Sequence, residues 1–144
     1  MKPRNIFKQF YYLINPNKKW AKFFSHSQQG SRNELVSIIP EGFTYPIYLR
    51  RGTSDIKNFQ QIFLKKEYDF LKEEPKTILD LGGYVGLAST FLANKYPNAK
   101  ILLVEPDPDN FIIAKLNSRQ FKNIVCINCG VWSKKCNLTI SSKL

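Results

Sequence analysis

Two acids and three glycines carry the chemistry this sequence can do. Asp80-Leu81-Gly82-Gly83-Tyr84-Val85-Gly86 sets a carboxylate just before a glycine-rich turn, and Glu105-Pro106-Asp107 places acids after a second apolar run. Glycine permits a tight reversal and a close backbone approach to a ligand, because no Cβ intervenes. A dinucleotide fingerprint would need its first glycine where Asp80 stands, and a carboxylate there would repel a pyrophosphate. S-adenosylmethionine (SAM) has no phosphate. It carries an ammonium group and a sulfonium centre, which an acid at a strand end attracts. Glu105, at the end of the next run, is placed to take both hydroxyls of a ribose. A charged hydrogen bond of that kind contributes roughly 1.5–3 kcal/mol. Asp80-x-Gly82-x-x-x-Gly86 with Glu105 therefore favours SAM over a nicotinamide cofactor. A lone Asp-x-Gly would be an ordinary turn; two acids in register with two strands and a helix are not.

The elements that must position these groups follow from pattern. Ile78, Leu79 and Leu81 form a short apolar run behind Pro75, which blocks a helix running in from upstream. After the glycines, Leu87, Ala88, Phe91 and Leu92 give one buried helical face, ending near Tyr96-Pro97-Asn98. Ile101–Val104 is the second strand. Asp107 is an N-cap with Pro108 at the first helical position, where a missing N–H costs nothing, and Phe111, Ile112, Ala114 and Leu116 supply that helix's apolar side. Residues 123–127 read as a third strand, with further extended pieces at Val131-Trp132 and Leu138-Thr139-Ile140. Alternating strands and helices mean βαβ units and a parallel sheet.

Upstream, apolar residues between Leu35 and Leu49 predict two short strands punctuated by Pro40-Glu41-Gly42, with Pro46 favouring an edge position. Thr53-Ser54-Asp55 is a helix N-cap signal, and Phe59, Ile62, Phe63 and Phe70 follow at helical spacing. Arg50, Arg51, Gly52 and this cap are as well suited to lining a cofactor or substrate mouth as to simple structure. The domain reading is a basic, aromatic arm and linker over 1–33, strands and a capping helix over 34–75, and a Rossmann-like half over 76–144.

The 144 residues suit one domain with a moderate core. A formal net charge of +11 points to an anionic partner. Six of those charges (Lys2, Arg4, Lys8, Lys18, Lys19, Lys22) fall in residues 1–24, which hold no acid and are rich in aromatics. Such an arm can touch an anionic membrane surface weakly, although packing on the sheet domain is the simpler expectation. No stretch reaches the ~20 apolar residues needed to span a bilayer, and no secretory leader is recognisable. His26, the only histidine, lies in a polar linker. Three cysteines in a chain of this size argue for a reducing, cytoplasmic compartment. Cys126-x-x-Cys129, with Cys136 nearby, lacks the second pair of ligands a structural zinc requires, so buried free thiols are expected.

These residues together resemble the FkbM-type family of SAM-dependent methyltransferases. The matching pieces are Arg50-x-Gly52-Thr53-Ser54-Asp55, Gln61-Ile62-Phe63, Glu67-Tyr68, Leu79-Asp80-Leu81-Gly82-Gly83-x-x-Gly86-Leu87, Val104-Glu105-Pro106-Asp107 and Gly130-Val131-Trp132. The resemblance implies a class I, doubly wound, Rossmann-like α/β fold and O-methylation of a hydroxyl on a sugar, polysaccharide or similar small molecule. It implies that Asp80, Gly82 and Gly86 hold the methionine part, Glu105 the ribose and Asp107 the adenine side. Gly83 stands where the family often has alanine. The family fold has about seven strands and a further acidic segment downstream, so the chain is expected to be the cofactor-binding half of a longer protein, or the product of a truncated gene. No general base can be named, and no metal is expected. A SAM-binding module without catalysis is the alternative. A nucleic-acid methyltransferase is disfavoured, since no Asn/Asp-Pro-Pro-aromatic motif is present.

Overall fold

The computed structural model describes residues 23–25, 29–70, 73–137 and 139. His26 and the basic stretch before Phe23 lie outside these residues. The chain divides into two compact units, Met1–Glu67 and Tyr68–Leu144.

In the first unit, strands β1 (Leu35–Ile38) and β2 (Ile47–Arg50) pair antiparallel, with Leu35 opposite Arg50 and Ile38 opposite Ile47. Helix α1 (Asp55–Phe59) runs on into a wider π-helical turn, Gln60–Leu64. The expected apolar stripe is buried at Phe59, Ile62 and Phe63. Phe59 stacks on Phe63 at 4.5 Å and meets Phe23 at 6.2 Å. Phe70 is not part of this helix and is 68% exposed. The helix stops because Lys66 takes a left-handed conformation (φ 53), after which the Glu67 amide turns back to the Gln61 carbonyl.

The loop from Arg50 to Asp55 is closed by charge. Asp55 is wholly buried. Its carboxylate accepts from the Arg50 Nε and Nη2, each at 3.0 Å, and from the Arg50 amide at 2.8 Å. Capping is done by Thr53, not Ser54. The Thr53 hydroxyl accepts from the Asp55 amide at 3.2 Å and donates to the Arg50 carbonyl at 2.8 Å. Arg51 faces Glu34 at 3.5 Å. Both arginines are thus engaged within their own unit.

The second unit is a three-stranded parallel sheet, ordered β3 (Thr77–Leu81), β4 (Lys100–Val104), β5 (Ile124–Ile127). The connections carry α2 (Leu87–Lys95) and α3 (Pro108–Ser118). Right-handed crossovers made twice in one direction deliver both helices to the same face. Burial agrees. Ile78, Ile101 and Ile124 form one register row and pack with Leu92, Ala93 and Tyr96 of the α2 segment. On the opposite face, Leu79 and Val125 are about 60% exposed. No helix of the described residues is long and apolar enough to cross a membrane.

Three expectations need correction here. Ala114 is buried as expected, but the rest of the inward side of α3 is Ile113, Asn117 and Ser118, while Ile112 is 62% exposed, because Gly86 presses on Ala114 and a residue two positions away lies about 200° round the helix. Val131 and Trp132 are exposed coil rather than strand; Leu138 and Ile140 lie outside the described residues. The thiols are free but not buried: Cys126 is half-buried, and Cys129 and Cys136 are exposed. Cys129 lies past the end of β5, so it has no sheet face to be buried in.

Removing one partner of a buried ion pair strands the other, at a cost of roughly 3–5 kcal/mol. Asp55→Ala is therefore expected to destabilise the first unit by about that much, and Asp55→Asn by less, in chemical denaturation. A change below about 0.5 kcal/mol would refute the loop-closing role.

Candidate functional site

The site is built where β3 and β4 end. Gly82 and Gly83 leave β3, and both amides donate to the same acceptor, the Val104 carbonyl, at 2.8 and 3.0 Å. This folds the turn over the end of β4. A Cβ on Gly83 would lie 2.5 Å from the Leu103 Cγ, and Leu103 is wholly buried, so only glycine fits. The requirement at Gly82 is different. Space around it is open, but its φ is +92, a conformation that costs a side chain about 1–2 kcal/mol. Tyr84 adopts φ 52 and carries that cost. Gly86, also left-handed, brings the start of α2 against α3: a Cβ there would meet the Ala114 Cα at 3.2 Å.

Two buttresses that sequence reasoning missed hold this loop. Asn117 of α3, wholly buried, donates from Nδ2 to the Val85 carbonyl at 2.8 Å. Asn128, just past β5, donates to the Glu105 and Pro106 carbonyls at 2.7 and 3.1 Å. Neither had a sequence signal, since each acts on a segment distant in the chain.

The two acids are presented differently. Glu105 is 5% exposed. One of its oxygens accepts from the Tyr84 amide at 2.8 Å and the other from the Asp107 amide at 2.9 Å. Asp80 is half-buried and accepts at 2.6 Å from the hydroxyl of Ser89. Ser89, itself wholly buried, stands two residues into α2, and its hydroxyl beside the apolar Leu87, Leu92 and Ala93 was the available clue. Among the described residues, no cationic side chain forms an ion pair with either acid. Asp107 does what its sequence predicted: its side chain caps α3 by accepting from the Asn110 amide at 2.9 Å.

Asp80, Gly82, Gly83, Gly86, Glu105 and Asp107 are thus gathered at one end of the sheet, tied in place largely through Val104, Tyr84 and Ser89. The turn's amides at residues 82, 83 and 84 are all spent inward, on Val104 and Glu105. Such a loop does not offer them to a pyrophosphate, the means by which glycine-rich dinucleotide turns bind. Among the described residues no three His, Cys, Asp or Glu side chains gather to hold a metal ion.

Overpacking a filled core costs about 1–3 kcal/mol. Gly83→Ala is expected to cost that much, and Leu103→Ala about 2–5 kcal/mol. Because the new methyl would occupy the space Leu103 vacates, the double variant should be more stable than the sum of the two single costs. Strictly additive costs in denaturant titrations would show that Gly83 and Leu103 do not touch.

No family model matches this chain, and no curated protein matches it in sequence. Solved structures match it in shape. PH0793 of Pyrococcus horikoshii, assigned as a transferase, superposes with a TM-score of 0.51 at 17% identity, over 70% of this chain and 38% of that one. M. jannaschii TYW2, solved in complex with AdoMet, superposes with a TM-score of 0.52 at 16% identity, over 70% of this chain and 45% of that one. The chain spans less than half the length of either structure. At such identities the likeness is one of fold, and that fold is the α/β, Rossmann-like architecture the sequence leads one to expect.

Proposed function

We propose that the second unit binds SAM and serves as the cofactor-holding part of a methyltransferase of the FkbM type, acting on a hydroxyl of a sugar or similar small molecule. The observation that carries this reading is the pair of carboxylates, Asp80 and Glu105, which no cation among the described residues pairs, on either side of a turn whose amides face inward. A buried acid is normally neutralised, as Asp55 is by Arg50. Acids oriented by amides and a hydroxyl at the end of a parallel sheet, with no ion-pair partner among the described residues, fit a cationic ligand that also carries a diol.

The residues divide that work by chemistry. Asp80 offers a fixed anionic oxygen to an ammonium group, and Ser89 orients it. Each oxygen of Glu105 is fixed by one amide and keeps a lone pair for a hydroxyl, so a ribose can be held at two points. Gly86 starts α2 without a side-chain cap, leaving the first amides of that helix for the carboxylate of an amino acid. SAM supplies an electrophilic methyl group on a sulfonium. The protein's part would be to hold that methyl in line with an acceptor oxygen, a contribution of roughly 7–11 kcal/mol when the geometry is right. TYW2, which shares the fold, was solved with AdoMet, and this supports the same choice of ligand here.

Calorimetry with S-adenosylhomocysteine (SAH) and with 5′-methylthioadenosine, which lacks the amino-acid group, tests each assignment separately. Glu105→Ala should weaken both ligands by about tenfold or more. Asp80→Ala and Ser89→Ala should weaken SAH while leaving methylthioadenosine unchanged. Ser89→Ala acting equally on both ligands would reduce Ser89 to a packing role. Absence of SAH binding by a parent chain folded by circular dichroism would overturn the SAM reading. Methyl transfer to a sugar acceptor by the 144-residue chain would separate a catalyst from a cofactor-binding module.

A further inference from the structure

Parallel sheets are normally covered on both faces, and the helices of this one lie on a single face. The register puts Leu79, Leu102 and Val125 in one row of the other face, and Leu81, Val104 and Ile127 in the next. All six positions are aliphatic. Val104 is buried and Leu102 half-buried between their neighbours. Leu79, Leu81, Val125 and Ile127 are 61%, 55%, 59% and 41% exposed. Thr77 and Lys100, paired across β3 and β4 and both exposed, close the patch at the amino ends of the strands. The two rows leave on the order of 400 Å² of aliphatic surface open, the size at which an apolar patch marks an interaction site.

We infer that this face seats an amphipathic helix of a partner protein, running antiparallel to the strands with its carboxyl end at Lys100. Size argues for a single helix. Three strands about 4.8 Å apart span about 10 Å, the width of one helix. From Thr77 to Leu81 is about 13 Å, the length of roughly nine helical residues. A second copy of this chain fits less well, because a standard interface takes roughly 800 Å² from each partner, about twice what the face offers. Charge sets the direction. The carboxyl end of a helix carries a partial negative charge, and Lys100, which forms no ion pair with a described residue, is the charged side chain bordering the two rows. The chain's own stretch before Phe23 has the wrong charge for that end, with six bases and no acid. This docking does not rest on the SAM reading.

The test uses the full chain and a fluorescein-labelled peptide of about 18 residues, built of alanine and glutamine with a leucine stripe at i, i+3, i+4 and i+7 spacing. The peptide is made with a free carboxyl end and with an amidated one. Saturable change in anisotropy is expected, with the free-carboxylate form bound about two- to fivefold more tightly. Leu79→Glu/Val125→Glu should weaken both forms by about tenfold or more, and Lys100→Glu should reverse the preference between them. All three substitutions are at exposed positions, and circular dichroism checks that each variant is folded. Four results would each overturn the inference: no binding by the folded parent, equal binding of a peptide with its leucines scrambled, unchanged affinity in the folded double variant, or a preference that Lys100→Glu leaves in place. So would a concentration-dependent dimer of the parent in sedimentation that Leu79→Glu/Val125→Glu abolishes, which would make the occupant a second copy.

Discussion

The glycine turn rests on β4 through a contact that admits no side chain. Two amides share the Val104 carbonyl, and the backbone at residue 83 touches Leu103 where a methyl group would collide. Everything else at the site inherits its position from this approach. It brings the Tyr84 amide to Glu105, aims α2 so that Ser89 meets Asp80, and lets Gly86 press on the backbone of α3 at Ala114. A turn displaced outward by an ångström would lose the Glu105 contact and loosen the packing between the two helices at once. An alanine at position 83 would require a smaller or shifted residue at 103, so Gly83 is matched to this chain's own leucine.

Charge is used in two opposite ways by the two units. Asp55 spends its carboxylate on Arg50, closing a loop and leaving little for a ligand to gain. Asp80 and Glu105 are fixed by neutral donors instead. A neutral donor orients a carboxylate without cancelling its charge, which stays available to a cation or a hydroxyl. The left-handed conformation of Tyr84 belongs to the same arrangement. It costs on the order of 1–2 kcal/mol and is offset where the amide it exposes finds the buried Glu105. Strain of this sort persists where the surroundings over-determine it, and here β4, α2 and α3 all do.

Much of the sheet unit was legible because its signals are local. Strand lengths, the Asp107 cap with Pro108 behind it, and the glycine spacing each depend on residues a few positions apart. The two acids and the glycines could be grouped for the same reason, since Asp80 stands next to last in one apolar run and Glu105 directly follows another. What could not be read was any contact whose partners are far apart in sequence. Asn117 and Val85 are 32 positions apart, and Asn128 and Glu105 are 23. On α3, Ala114 is buried as its pattern predicts, but Ile113 and Asn117 take the inward positions in place of Ile112, a choice set by where α2 presses on the helix and not by hydrophobicity. The run from Phe59 to Phe70 had helical spacing, but periodicity does not report a left-handed Lys66. The cysteines were expected inside because free thiols usually are, and the end of β5 at Ile127 decided otherwise.

Strand order and register then explain why the site has its composition. Leu81, Val104 and Ile127 stand in one row across the sheet. The next position along each strand is therefore Gly82, Glu105 and Asn128, and backbone bonds continue the row: the Gly82 amide donates to Val104, and the Glu105 amide donates to Ile127 at 3.1 Å. A turn residue, an acid and an amide side chain thus leave the sheet at the same level, side by side, although they are separated by more than 20 positions in the chain. Side chains alternate with a period of two, so a one-residue slip of β4 would turn Glu105 to the other face and bring Pro106 into the row. The paired rows of Ile78, Ile101 and Ile124 beneath α2 oppose such a slip, because it would move that set out of the core. Hydrophobic packing at the base of the strands is in this way what fixes the alignment of the polar residues at their tips.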